Sequence, residues 1–440
     1  MGTNSAETVK SPNSSYRLSG DPMIGLTMGT WGFFIGFAAV ALYGPAAKYF
    51  QGQMHLSGLA LGLLVAAPQL TGSLLRIPFG AWVDRAGGRL PMLTLFVLSL
   101  VGMWGLVFVL ITVKTLTVAA YPIIIMFGFL SGCGVASFSV GVPQVSYWFP
   151  QKRQGTALGA YGGIGNLAPG LFTLLLPYAI AMWGLAGSYF AWFSFLLVGA
   201  GIYALFARDA PVFQLRKQGF DLETSRKIAR EKGQELFPKE AVWQAIITAA
   251  EDTRTWGLVA LYFVSFGGFL ALTVWFPTYW MNFHHVDAKT AGVLGGVGFS
   301  LLAAVVRVFG GVLAERIGGE RTAVMAFIGV LLGALILTFV QDFYQALGGE
   351  LLIAVGMGVG NAAVFKMVPK YVPNAVGGAA GLVGGLGASG GFILPPFLGA
   401  VVDALGGKGY TGGFFAYVLL AIMAIGVSIY FWVLDRKTAR

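Results

Sequence analysis

Charge is scarce in this chain. Asp, Glu, Lys and Arg make up 10% of its 440 residues, against roughly 25% in soluble domains. Acidic residues avoid the middle of every apolar run. Asp84, Glu315, Glu350 and Asp403 all fall near run ends, which removes an obvious carboxylate proton relay and the paired carboxylates of acid–base catalysis. Cysteine is almost missing. The single Cys133 lies inside an apolar segment, so no disulfide framework exists, and the residue reads as a packed small hydrophobe. The three histidines, His55, His284 and His285, lie outside the apolar runs, so no metal site is expected. With no nucleophile–base pair, metal cluster or phosphate-cradling loop, the sequence does not read as an enzyme and requires no cofactor. No cleavable leader is expected: the first 23 residues are polar, and the apolar helix behind them ends in no small-residue cleavage site.

Apolar sequence is what remains, at 57% of the residues. Twelve runs are long enough to cross a bilayer core of about 30 Å as helices: 25–49, 57–80, 90–112, 120–147, 155–178, 186–207, 255–280, 289–314, 321–341, 346–368, 374–402 and 411–434. The expected organisation is an N-terminal tail (1–24), six spans (25–207), a polar linker with short surface helices (208–254), six more spans (255–434) and a tail (435–440). Placing the N-terminus in the cytoplasm and alternating sides puts 21 of the 28 basic residues on the cytoplasmic face and four, Lys48, Lys114, Lys289 and Lys408, on the other. That bias predicts both termini inside a plasma (inner) membrane. It also accounts for the net charge of +10 by attraction to anionic lipid rather than to nucleic acid.

The chain repeats itself. LLRIPFGAWVDRAGGRLP at 74–91 matches VVRVFGGVLAERIGGERT at 305–322, pairing Arg76 with Arg307, Asp84 with Glu315 and Arg85 with Arg316 at a constant offset of 231. GAYGGIGNLAPG at 159–170 echoes GLVGGLGASGGF at 381–392 at an offset of 222. Two parallel copies of a six-helix unit follow. Transporters built this way hold substrate near the midplane and rock the halves around it. The run Gly80-x-x-x-Asp84-Arg85-x-Gly87-Gly88-Arg89 resembles the loop signature of the major facilitator superfamily. The resemblance covers nearly the whole chain. It implies an all-α membrane protein of twelve transmembrane helices in two pseudo-symmetric six-helix bundles. It also implies a conformational latch made by Gly80, Asp84, Arg85 and Arg89 with Glu315 and Arg316, and a monomer.

Three cations fall inside spans: Arg76, Arg307 and Lys366. A charge at the bilayer centre costs about 2.5–3.5 kcal/mol on insertion scales. Arg76 precedes Asp84 by eight residues, or about 12 Å of helix, which sets it near mid-membrane, and the repeat gives Arg307 the same depth. With no intramembrane carboxylate to pair them, their counter-ion is expected to be the cargo, an anion. The guanidinium fork suits a flat oxyanion. Lys366 is either a snorkelling side chain, a supplementary cation or a titrating group. Phe37, Phe138, Tyr262, Phe266, Phe365 and Asn361 supply aromatic faces and an amide around the arginines. Asn166, among the glycines, can donate from its amide and orient the site. Glycines 163, 165, 384, 385 and 387 permit the close backbone approach that a small site needs.

At these residues the chain resembles the nitrate/nitrite porter family of that superfamily. The fifth span carries Gly163-x-Gly165-Asn166, and the eleventh carries Gly384-Gly385-Leu386-Gly387, with Ala388 in place of Asn. The resemblance assigns the substrate arginines to Arg76 and Arg307, the seventh-span tyrosine to Tyr262, and the aromatic clamp to Phe138, Phe266, Phe365 and Phe37. It implies secondary active transport of nitrate and nitrite by alternating access: proton-coupled nitrate uptake, with Lys366 as coupling candidate, or nitrate/nitrite exchange. An oxalate or formate antiporter of the same fold is the alternative outside that family.

Overall fold

The computed structural model describes residues 15–113, 115–237, 242–339 and 341–438. Of the basic residues counted above, Lys10, Lys114, Lys239 and Arg440 lie outside the described residues, as does residue 340 near the end of the expected ninth span.

Among the described residues, eleven helical runs are long and apolar enough to cross a membrane, where backbone N–H and C=O groups must be satisfied within a helix or a closed barrel. They are Pro22–Met54 (span 1), Gly58–Ala86 (span 2), Arg89–Thr112 (span 3), Val118–Ser146 (span 4), Gln151–Phe206, Thr253–Asn282 (span 7), Ala288–Ile317 (span 8), Gly319–Phe339 (span 9), Phe343–Tyr371 (span 10), Pro373–Gly412 (span 11) and Phe415–Arg436 (span 12). The fifth run has 56 residues, roughly 84 Å if continuous, far more than one crossing needs. It turns at Gly184, whose φ of +67° is a left-handed value that a side chain resists. Residues 151–183 and 185–206 are therefore spans 5 and 6. Twelve crossings make an even number, so both ends of the chain emerge on one face, called here the termini end. Among the described residues of the linker lie three short helices, Pro211–Lys217, Leu222–Glu231 and Val242–Glu251. No strand occurs among the described residues.

Several of the scarce acids close helix N-termini. Asp21, Asp252, Asp287 and Asp342 each accept from backbone N–H groups in the first turns of spans 1, 7, 8 and 10, where orphan donors favour an anionic cap.

Many of the spans that line the centre are interrupted there. Span 1 passes into a tighter turn at Ala38–Ala41, span 4 at Cys133–Ala136 and span 11 at Gly387–Ser389. Spans 7 and 8 widen into π turns at Phe263–Gly267 and Leu294–Leu301. Such departures from i→i+4 bonding cluster at functional sites.

The two halves meet tightly at the face opposite the termini. A Cβ on Gly58 of span 2 would lie 2.3 Å from the Gly399 carbonyl oxygen of span 11, and one on Gly62 would lie 2.3 Å from that of Pro395. Asp403 of span 11 accepts from the backbone N–H groups of Gly58 at 2.5 Å and Leu59 at 2.8 Å. At the termini end several glycines are uncontacted. Added Cβ atoms on Gly155, Gly159 and Gly162 of span 5, Gly311 of span 8, and Gly377 and Gly381 of span 11 would meet nothing within 4 Å.

Candidate functional site

Arg76 opens the second helical segment of span 2, Arg76–Ala86, just after the helix breaks at Leu75. Pro78 lacks the N–H that would bond back to Leu74, which accounts for the break. The guanidinium is 1% exposed. One nitrogen donates to the Gly384 carbonyl of span 11 at 3.0 Å, while Nε and the other terminal nitrogen have no partner. Its carbon sits 5.1 Å from the Phe138 ring centre and 5.0 Å from that of Phe266.

Arg307 of span 8 reaches the same Phe266 ring at 5.8 Å, is half-buried, and also holds a buried nitrogen without a partner. The repeat-related arginines therefore converge on one phenyl ring, within Coulomb reach of each other. Among the described residues no carboxylate forms an ion pair with either. Two positive forks with unfilled donors, held against aromatic faces, make a receptor for a small planar anion.

The structure brings several of the other expected side chains to the arginines. Tyr262 is fully buried, stacks on Phe266 at 4.9 Å and 13°, and meets Phe365 edge-on at 4.8 Å. Its hydroxyl faces both guanidiniums and lies within hydrogen-bonding reach of Arg307. Phe37 is buried and lies parallel to Phe266 at 6.3 Å. Asn361 is buried with its side-chain oxygen unpartnered. Two aromatics were not singled out from sequence. Phe33 stacks on Tyr161 at 5.0 Å and packs on Phe138 at 5.2 Å. Tyr161 lies within Coulomb reach of Arg76 and donates to the Phe138 carbonyl at 2.8 Å. A signal existed: Tyr161 is the one aromatic inside the glycine-rich stretch of span 5.

Four expectations change. Asn166 does not turn its amide toward the arginines; it donates to the Gly162 carbonyl at 2.6 Å, one turn back in its own span. The repeat explains why this matters. At the offset of 222, Gly162 corresponds to Gly384 and Asn166 to Ala388. Asn166 occupies the carbonyl whose counterpart holds Arg76, whereas Ala388 leaves that counterpart open.

Lys366 is exposed, on the face of span 10 that also exposes Leu351, Leu352 and Val355. It points roughly 100° around the helix from Phe365, so the structure does not bring it to the guanidinium pair. Glu350, grouped with the acids near run ends, is fully buried. Distance from a helix end fixes depth but not direction, and this carboxyl faces inward.

Gly80 was expected to permit close packing. A Cβ there would lie 3.5 Å from the Ser139 carbonyl, ordinary contact distance.

The other glycines differ in what they touch. A Cβ on Gly165 would lie 1.8 Å from Phe33, one on Gly387 2.8 Å from Tyr262, and one on Gly385 2.9 Å from Ile77. Gly163 and Gly384 have only contacts at 3.7 Å, to Val308 and Phe365.

Of the latch residues, Asp84 accepts from the Tyr147 hydroxyl. Arg89 donates to the Ala204 carbonyl at 2.7 Å, and its backbone N–H to Asp209 at 2.9 Å. Arg85, Glu315 and Arg316 are exposed. An ionic cluster of the second half lies elsewhere: exposed Lys370 bridges buried Glu320 at 2.7 Å and half-buried Asp435 at 2.6 Å.

A family model described as Major Facilitator Superfamily matches residues 29–345 and 284–440. The chain is similar to the probable nitrate/nitrite antiporter NarK1 of Thermus thermophilus, 32% identical over 84% of this chain and 83% of that one. It is also similar to the nitrite extrusion protein of Bacillus subtilis, 29% identical over 94% and 96% of the respective chains. Among solved structures, the xylose transporter XylE from E. coli, in a partially occluded inward-open conformation, superposes with a TM-score of 0.70 over 94% of this chain and 99% of that one, at 13% identity.

Proposed function

We propose that this chain, which belongs to the nitrate/nitrite porter family of the Major Facilitator Superfamily, carries nitrate and nitrite across the plasma (inner) membrane by alternating access. The observation that supports this most is the pair of repeat-related guanidiniums, Arg76 and Arg307, sharing the Phe266 ring with donors left over and no carboxylate partner. Nitrate and nitrite are flat, singly charged and small enough to lie between an aromatic face and a guanidinium fork.

In the cycle we envisage, the anion draws Arg76 from the first half and Arg307 from the second toward one charge. The tight approach of spans 2 and 11 at the face opposite the termini closes one side, and the uncontacted glycines at the termini end support an opening on the other. With both termini cytoplasmic, as the basic residues favour, this arrangement is inward-facing. The latch read at Asp84, Arg85 and Arg89 with Glu315 and Arg316 belongs to the opposite state, closed at the termini end. The protein works as a monomer.

Uptake is driven by protons in this reading. Nitrate/nitrite exchange is the second reading: the anion site itself contains cations and no carboxylate, so it can cycle between two anions without a proton. Two measurements decide. Thermal stabilisation of the purified protein by nitrate and nitrite, and not by formate or oxalate, is expected; equal or greater stabilisation by oxalate would overturn the assignment. In liposomes without internal nitrite, an imposed pH gradient is expected to accelerate nitrate entry. If the gradient has no effect, exchange replaces symport.

A further inference from the structure

We propose that Glu350 is the proton-carrying group of the cycle; this rests on the proton-driven reading above.

Three carboxyl side chains are buried among the described residues: Asp209, Glu320 and Glu350. The first two have cations, with Lys217 2.6 Å from Asp209 and Lys370 2.7 Å from Glu320. Glu350 has none. It is 0% exposed, takes one hydrogen bond, from the Trp280 indole at 2.7 Å, and its other oxygen has no partner. An ionised carboxylate so placed would lack both water and a counter-charge, a state that buried acids avoid by holding a proton.

The surroundings contain nothing to replace that proton. Span 7 presents Trp280 and Tyr279, and the Tyr279 hydroxyl pairs with His284 at 3.0 Å. Span 8 presents Gly298, where an added Cβ would lie 4.0 Å from the free Glu350 oxygen. Span 9 approaches through Gly333, which packs on Gly349 and Ile353. In the loop beyond, His284 lies 4.7 Å from the Trp280 ring, and His285 is exposed. Asp342 caps its own helix by accepting from Gln345, and Asp287 caps span 8. Lys289 lies over the Tyr178 ring at 5.4 Å, on span 5. Lys366 and Lys370 belong to the other end of span 10.

The position links this carboxyl to the anion site. Spans 7 and 10, joined by the Trp280–Glu350 bond, also carry Tyr262, Phe266, Asn361 and Phe365. Gly298 lies in the π turn Leu294–Leu301, from which the helix bearing Arg307 continues. The carboxyl is seven residues into span 10, about 10 Å below the face opposite the termini. When that face opens, Glu350 takes a proton from solution. The empty site carries two positive charges and the anion-loaded site one, so bound nitrate favours the protonated carboxyl and proton and anion move together. When the anion leaves toward the termini end, the restored field of the two guanidiniums drives the proton into the central pathway between the halves.

The test uses the full-length protein in liposomes. At one proton per anion, each unit of imposed pH gradient raises nitrate accumulation by about tenfold. Glu350→Gln, a fixed neutral mimic of the protonated form, is expected to lose this gradient-driven accumulation while nitrate/nitrite counterflow continues. If wild type accumulates nitrate under the gradient and Glu350→Gln does so equally, the proposal is overturned and proton coupling stands. Absence of gradient-driven accumulation in wild type overturns both. Should Glu350→Gln fail to assemble, Trp280→Phe serves. It removes the donor that stabilises the ionised carboxylate, so the pH of half-maximal uptake should rise; an unmoved profile overturns the proposal.

Discussion

The two arginines differ in what already holds them. Arg76 is fixed by the Gly384 carbonyl and set against both Phe138 and Phe266, whereas Arg307 is half-buried, reaches Phe266 and lies within hydrogen-bonding reach of Tyr262. Lysine in either place would keep the charge and lose the planar fork. Arg76→Lys and Arg307→Lys should each weaken nitrate binding by about 1.5–3 kcal/mol, the worth of a charge-assisted hydrogen bond, or about ten- to a hundredfold in Kd. Calorimetric titration in detergent measures this, and wild-type affinity in either variant would contradict the site. Asn166 offers a subtler check. Removing its amide in Asn166→Ala leaves the Gly162 carbonyl free to accept from Arg307, as Gly384 accepts from Arg76. Competition with the anion for that guanidinium should raise Kd by about fivefold, equivalent to about 1 kcal/mol for one hydrogen bond. No change in Kd would show that the two carbonyls are not equivalent.

Helices here are shaped by what their glycines meet. Sequence treats the glycine-rich spans 5 and 11 as uniformly pliable, yet only some positions exclude a side chain. Gly165 packs under Phe33, where a Cβ would sit at 1.8 Å, while Gly80 has 3.5 Å to its nearest neighbour. Gly165→Ala should therefore destabilise the fold by about 1–3 kcal/mol through overpacking. Gly80→Ala should leave the apparent melting temperature unchanged or slightly raised, because alanine favours helix by up to about 1 kcal/mol. Thermal unfolding monitored by tryptophan fluorescence compares the two, and a reversed order would refute this account. The interruptions of spans 1, 4, 7, 8 and 11 belong to the same scale. Hydropathy marks where a helix crosses but does not register a turn that changes from i→i+4 to a tighter or wider bond, since that choice depends on the packing partner.

At the level of the whole molecule, the halves meet through spans 2 and 11, through spans 5 and 8 at Gly170 and Gly296, and through spans 1 and 7 at Gly44 and Val274. Span 2 carries the Asp84 motif at its termini end, where the sequence places a latch. The structure shows span 2 held at its other end, where Asp403 of span 11 caps its N-terminus through Gly58 and Leu59. An anion at a helix N-terminus contributes up to about 1 kcal/mol. Asp403→Asn should shift the balance toward the form open opposite the termini by about fivefold. Spin-label distances between the outer ends of spans 2 and 11 report this population, and an unchanged distribution would rule out Asp403 as a closing element.

The sequence by itself determined the helical class, the twelve crossings, the duplicated halves and the two arginines. Each depends on local hydropathy, or on a repeat that survives as residue identity, and both are readable without knowing what touches what. Tertiary structure decided direction. It turned Glu350 inward and Lys366 outward, set Asn166 onto its own helix, and brought Phe33 and Tyr161 to the site. A helix fixes how deep a residue lies through its rise per residue, but the side of the helix that is buried depends on neighbours hundreds of residues away. The face at which the two halves touch is likewise a property of their packing, because one sequence must allow both arrangements if it is to carry an ion across.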